Sequence, residues 1–337
     1  MRWRPSFAFL LATAMAAQSP LTYPATRKGD VVDDYHGTRV ADPYRWLEDE
    51  NSAETKAWVA AENQVTTAYL DQIPEREAIR ARLTRLWDFE KYSAPSKRGK
   101  HYFYSANTGL QNQAVLYVTD RLQDRGRVLL DPNALSADGT TALSGMSLSE
   151  DGALMAYALS KGGADLVVWK VRRVATGQDL PDELPLGRNS VNAWAKDGSG
   201  FYYTRYPLPK DRSALTGVFR NQQLLFHRLG TPLAQDRVVY ERPDHPDWGF
   251  RAHVTDDGAW LVVAQNEGTG QRRRIFLQDL RKPGAKVEPW LDGFDAAYQV
   301  VGNDRDTFYV FTDHDAPRGR LVAIRKGHPE AKDWHEL

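Results

Sequence analysis

The chain has 337 residues, enough for one large domain or two. Hydrophobic residues make up 42% and charged residues 26%, the balance of a soluble globular protein and not of a disordered one. Its 44 basic residues are matched by 44 acidic ones, which argues against nucleic acid as a partner, because phosphate binding needs a net basic face.

Arg2 and Arg4 precede an apolar run, Phe7 to Ala17, that is too short to span a bilayer. Ala14-Met15-Ala16 has the small-x-small form that signal peptidases accept. Residues 1–17 therefore read as a secretory signal cut after Ala16 or Ala17, the alternative being an uncleaved anchor. The expectation is a periplasmic or secreted protein with no membrane association after cleavage. Cysteine is absent, which excludes a disulfide framework, a cysteine-based zinc site and a lipoprotein anchor.

Residues 18–90 form an extended and helical segment. Tyr23 to Asp49 is punctuated by Pro and Gly and reads as extended chain and turns. Asn51, followed three residues later by Glu54, resembles a capping box. Trp58, Val65 and Tyr69 share one helical face. Pro74 opens a second helix, where its missing N–H costs nothing, and Ile79, Leu83 and Leu86 form that helix's apolar stripe. Two helices over 51–88 are predicted, with their apolar faces as core contacts.

From residue 91 to 337 the periodicity changes to two. Turn signals recur before short apolar strands: Arg98-Gly99, Asp151-Gly152, Asp197-Gly198, Asp257-Gly258 and Asp304-Arg305. A two-residue hairpin needs such residues for its positive φ. The spacing, roughly 45–60 residues, is that of a propeller blade. Each unit continues into a third strand, such as Val115–Val118 or Ile275–Leu277, and several into a fourth, such as Val128–Leu130. The fold class is all-β: an incomplete β-propeller of about five four-stranded blades behind a short helical segment, the fifth blade having at most three clear strands.

Residues that could carry chemistry read mostly as structure. No Gly-x-Ser-x-Gly nucleophile elbow occurs; the nearest approach, Gly145 to Ser149, lacks the last glycine and begins a strand. No histidine spacing suits a metal, so neither metal nor cofactor is expected. Glu150-Asp151 and Asp256-Asp257 sit at hairpin tips, where Asp suits turn geometry. Arg272-Arg273-Arg274 reads as a solvated strand edge. His36 beside Gly37 reads as a turn residue.

Four runs, Asp34–Gly37, Asp42–Asp49, Asn107–Gln113 and Leu130–Asn133, resemble in order and spacing the N-terminal half of the prolyl oligopeptidase family of serine peptidases. The resemblance extends from about residue 23 to the C-terminus. It implies a seven-bladed propeller, of which about five blades are present, set over an active site and admitting only short peptides. It implies that the N-terminal helices pack against a later α/β-hydrolase domain, absent here, which carries the Ser, His and Asp of the triad. No catalytic residue is then expected in these 337. The partners implied are short proline-containing peptides and that hydrolase domain. Two substrate-binding positions follow by alignment. Asn189 falls where the family places an aromatic wall of its proline pocket, and its being no aromatic bears on strict proline preference. Asp165 aligns with an acid facing the family's active-site cavity. The alternative function is a non-catalytic propeller module binding a peptide or protein. A five-bladed glycosidase fits less well, because Lys332–His335 resembles a stretch that in similar proteins runs on into the next blade.

Overall fold

The structure is a computed structural model that describes residues 21–207 and 218–337. The secretory signal expected over residues 1–17 lies outside the described residues. The chain divides into two compact units, one up to Leu86 and one from Trp87 onwards.

In the first unit, strands β1 (Val32–Tyr35) and β2 (Thr38–Ala41) pair antiparallel. Tyr35 faces Thr38, so His36 and Gly37 alone make the turn, with φ of 56° and 91°. Two successive left-handed residues match the twist of a hairpin. The Gly37 N–H donates to Asp34 Oδ1 at 2.6 Å, which accounts for the Asp34–Gly37 run. The Asp42–Asp49 run has a similar local cause. Arg45 reaches Asp42 at 2.5 Å and also Asp33 on β1, and the Trp46 indole donates to the Arg27 carbonyl at 2.9 Å.

Helix α1 (Ala53–Leu70) is capped by Ser52, one residue later than the sequence suggested. The Ser52 hydroxyl accepts from the Thr55 N–H at 3.1 Å. Glu54 does not reach back to close a capping box, because Arg27 holds it through two bonds of 2.6 and 3.0 Å. Helix α2 (Arg76–Trp87) starts two residues after Pro74. Its stripe is not a core contact in this chain: Ile79 is 54% exposed and Leu83 58% exposed.

The second unit contains five antiparallel sheets in chain order. In blade 1, β3 (Lys91–Tyr92) and β4 (Ser96–Arg98) both pair with β5 (His101–Asn107), followed by β6 (Val115–Thr119) and β7 (Arg127–Leu130). Blade 2 is β8 (Thr141–Leu148), β9 (Leu154–Lys161), β10 (Val167–Arg173) and β11 (Asp179–Gly187). Blade 3 is β12 (Ser190–Trp194), β13 (Gly200–Arg205), β14 (Gln223–Arg228) and β15 (Arg237–Glu241). Blade 4 is β16 (Trp248–Val254), β17 (Trp260–Glu267), β18 (Arg274–Asp279) and β19 (Glu288–Leu291). Blade 5 is β20 (Tyr298–Asp304), β21 (Thr307–Thr312), β22 (Arg320–Arg325) and β23 (His335–Glu336). Its fourth strand, which the sequence did not reveal, is two residues long and pairs His335 with Ala323. So short a strand carries no periodicity to read.

The core lies between blades. Trp169 of blade 2 packs in one cluster with Trp194, Phe201 and Tyr203 of blade 3. Between blades 4 and 5, Phe308 meets Trp260 and Trp290 at ring-centre distances of 5.8 and 4.8 Å. Both faces of an inner blade are therefore covered, and Trp260 to Val263 are all buried, whichever way each points.

Only two of the first hairpins have two-residue turns, Gly99-Lys100 and Arg305-Asp306. Blades 2, 3 and 4 use four-residue loops, each closed by one backbone bond, from the N–H of Ser149, Ala195 or Thr255 to the carbonyl of Leu154, Gly200 or Trp260, and in two of them a side chain adds a second rung. In blade 2 the Ser149 hydroxyl accepts from the Leu154 N–H at 2.9 Å and donates to Asp151 Oδ1 at 2.6 Å. Thr255 does the same with Trp260 and Asp257, at 3.0 and 2.6 Å. Ala195 has no hydroxyl to offer in blade 3, and Asp197 alone bridges, to the Ser199 N–H at 3.0 Å. Gly152 is required twice over: its φ is +70°, and a Cβ there would lie 2.5 Å from the Arg98 carbonyl of the next tip.

Candidate functional site

A meander of antiparallel strands sorts its loops by end. The first hairpin tips of all blades gather at one end. The loops between second and third strands, and the connections from blade to blade, gather at the other. Both positions singled out in the sequence, Asp165 and Asn189, fall at this connection end.

The Asn107–Gln113 and Leu130–Asn133 runs are also there, and they bond to one another. The Asn133 side chain accepts from the Gln113 N–H at 2.9 Å and donates to the Gln113 carbonyl at 3.0 Å. Asn107 closes its own loop by accepting from Gly109 N–H and donating to the Gln111 carbonyl, both at 2.9 Å. Amide side chains are used here as substitutes for strand pairing, which fixes the loop shape.

Asp165 lies in the loop between β9 and β10, Asn189 in the connection from β11 to β12. Arg188 joins the two positions: its guanidinium meets Asp165 Oδ2 at 3.0 Å, and it precedes Asn189 in the chain. Asp165 is an exposed acid whose side chain keeps 80% of its surface. Asn189 is fixed at both ends. Its carbonyl accepts from the Trp169 indole at 2.9 Å, and its amide donates to the Pro185 carbonyl at 2.8 Å. It lines a cavity of about 260 Å³ together with Leu186, Tyr203, Arg205, Tyr206 and Gln223. Asp165 does not line that cavity.

Sequence reasoning missed the aromatic groups beside this site. The Phe219 ring lies 4.7 Å from the Arg188 guanidinium carbon and meets Tyr206 edge-on at 5.8 Å. These two residues flank the loop between β13 and β14, far in sequence from Asn189, and no local spacing ties them to it. Burial raises the Tyr206 hydroxyl above its ordinary range, with the nearby Arg188 working the other way. Tyr203 is raised by burial and by its bond to Asp236, at 2.7 Å, so its hydroxyl is already committed. The cavity thus offers a partly aromatic, largely apolar lining with one charged side chain, Arg205, and the amides of Asn189 and Gln223.

Groups with catalytic chemistry elsewhere are occupied. His227 is buried between two carboxylates: Nδ1 lies 2.8 Å from Asp236 and Nε2 lies 3.1 Å from Asp182. Neither ring nitrogen faces a cavity, so the triplet is a bolt between blades 2 and 3. Ser147 pairs along β8 with Ala156 and does not stand at a strand–helix turn. Among the described residues no cluster of three metal-ligating side chains occurs. Arg274 corrects the reading of Arg272–Arg274 as a solvated edge. It bonds Gln265 and Glu267 at 2.8 and 2.7 Å and lies over Trp248 and Phe294, at 4.7 and 4.2 Å from their ring centres. Two aromatic faces next to the strand, buried at Trp248 and half-buried at Phe294, draw in its guanidinium, and the sequence run does not show them.

Comparison with known proteins agrees with this architecture. Residues 23–337 match the family model described as prolyl oligopeptidase, N-terminal beta-propeller domain. A prolyl endopeptidase of Elizabethkingia meningoseptica is 39% identical over 332 residues, covering 98% of this chain and 46% of that protein. Prolyl oligopeptidase A of Amanita bisporigera is 33% identical, covering 93% and 45%. A solved structure from a study of two prolyl endopeptidases superposes with a TM-score of 0.80 at 33% identity, over 94% of this chain and 46% of that one. Prolyl oligopeptidase B of Galerina marginata, solved with a 35-residue hydrolysis and macrocyclisation substrate, gives 0.79 at 29% identity, over 94% and 48%. The chain spans about half the length of the curated relatives it matches. It belongs to the prolyl oligopeptidase family, of whose N-terminal β-propeller domain it forms five blades with the preceding helices.

Proposed function

We propose that this chain is the propeller part of a secreted serine peptidase that cleaves short peptides after proline. A further domain of the same protein would supply the Ser-His-Asp groups. The serine attacks the carbonyl, the histidine moves the proton, and backbone N–H groups hold the oxyanion. The propeller's share is selection: it screens peptides by size and lends the cavity at Asn189, with Arg188, Tyr206 and Phe219 beside it, to holding them. The observation that carries the reading is the pattern of coverage. Nearly the whole chain matches a prolyl endopeptidase, and the match takes up less than half of that enzyme. Export rests on the sequence of residues 1–17 alone.

The reading is tested with a proline-linked fluorogenic peptide and the purified 337-residue chain. No turnover above a mock purification is expected. Turnover that survives this control would mean that the catalytic groups lie within these residues, and the division of labour proposed here would fall.

A further inference from the structure

The tip end of the propeller holds a second cavity, of about 190 Å³, that has no part in the reading above. Its walls are the last residues of β8, β12 and β16, the strands at one edge of blades 2, 3 and 4, and its rim is made by successive hairpin tips. The tips contribute charges of alternating sign: Arg98 from blade 1, Glu150 from blade 2, Lys196 from blade 3 and Asp256 from blade 4. Glu150, Lys196 and Asp256 occupy the same place in each four-residue loop, immediately before the Asp that shapes the turn. They are therefore free of the turn's own hydrogen bonds, which Asp151, Asp197 and Asp257 carry.

The middle pair is satisfied. Lys196 Nζ sits 3.1 Å from Glu150 and also donates to the Asp256 carbonyl. The outer pair is not: neither the Arg98 guanidinium nor the Asp256 carboxylate is in an ion pair among the described residues. The floor brings Asn192 and His253. Burial lowers His253 below its ordinary range, Asp256 only partly opposing this, so the floor is neutral where the rim is charged. Arg98 donates to the Lys97 carbonyl at 3.0 Å, which leaves its charge unbalanced, and a cation and an anion without ion-pair partners on one small cavity match a ligand that carries both charges. A free guanidinium binds a carboxylate with two parallel hydrogen bonds, and a free carboxylate binds an ammonium by charge-assisted ones.

From this we infer that the tip-end cavity binds a short zwitterionic peptide of dipeptide size. The peptide's terminal carboxylate lies on Arg98 and its ammonium on Asp256. Glu150 and Lys196 neutralise each other and form the wall between. Recognition is of the two free ends and not of a side chain, so the site is indifferent to sequence and selects for unblocked length.

The probe is alanyl-alanine, with N-acetyl-alanyl-alanine amide as the control that keeps the backbone and removes both charges. Saturation-transfer NMR and calorimetric titration on the 337-residue chain read the binding. Alanyl-alanine is expected to bind and the blocked peptide not to. Arg98→Gln and Asp256→Asn are each expected to weaken alanyl-alanine at least tenfold; both residues are exposed at hairpin tips, and circular dichroism checks that the fold is kept. Failure of alanyl-alanine to bind, equal binding of the blocked peptide, or unchanged binding in both variants would overturn the assignment. Peptidase assays do not enter this test, so its outcome is separate from that of the proposed function.

Discussion

His227 shows how single residues hold neighbouring blades together. It stands on β14 of blade 3, and its two ring nitrogens contact Asp182 of blade 2 and Asp236 of its own blade. The side chains of Asp182 and Asp236 keep 4% and 1% of their surface, so neither carboxylate can turn to water if the imidazole is lost. Tyr203 still donates to Asp236, and the Gly230 N–H to Asp182, but one donor each does not offset a buried charge. His227→Ala should destabilise the chain by about 3–5 kcal/mol, the cost of stripping a partner from buried charges. Urea unfolding would measure it. A loss below about 1 kcal/mol would show that water or a side-chain shift replaces the ring. Nothing in the sequence announced the contact with Asp182, because that residue lies 45 positions from His227 and meets it only through packing of one sheet on the next. The turn at His36-Gly37 was legible for the opposite reason: its geometry is settled by adjacent residues. Asn189 and Asp165 lie between these cases. A family resemblance placed them, but only the folded chain shows Arg188 linking them, or Phe219 and Tyr206 standing beside an Asn where an aromatic was expected.

At the scale of elements, local signals were read well and contact-dependent ones less well. The strands of blades 2 to 4 alternate or run apolar between Asp-Gly turns, so most of them follow from the sequence, whereas the extra strand β3 of the five-stranded first sheet does not. Loop length at three of the tips did not follow, since it is set by one backbone bond across the loop base, which Ser149 and Thr255 reinforce with a hydroxyl and Ala195 makes alone. The cap of α1 moved by one residue because Arg27 takes Glu54 away. The apolar stripe of α2 is the clearest case in which pattern and structure part. Ile79, Leu83 and Leu86 have the spacing of a buried face, yet Leu83 keeps 58% of its surface. Burial is a property of the partner as much as of the helix, and among the described residues of its own unit the stripe is left exposed. Leu83→Ser should therefore change the stability of the 337-residue chain by no more than about 0.5 kcal/mol, as expected of surface positions. A thermal melt would check it. A large drop in Tm would place Leu83 in a core that this structure does not contain.

At the scale of the whole molecule, blade repetition explains how so much β-structure forms without disulfides. Each of the three inner sheets shares one hydrophobic cluster with the sheet before it and another with the sheet after it, so stability accumulates from blade to blade. The same repetition sorts loops and cavities by end. Loops at the connection end vary in length and carry the cavity at Asn189. Tips of blades 2, 3 and 4 at the other end repeat one four-residue loop and differ in the sign of the charge at its first position, Glu150, Lys196 and Asp256. If these five blades and two helices are the selecting part of a larger peptidase, as proposed, the protein that the cell makes is larger than this chain. The intact mass of the native gene product, taken by mass spectrometry from the source cell's envelope or secreted fraction, tests it most directly. A mass about twice the 38.1 kDa of this chain is predicted, in keeping with relatives of which it covers 46%. A mass at or slightly below 38.1 kDa would contradict the account, and the propeller would then be a binding module in its own right.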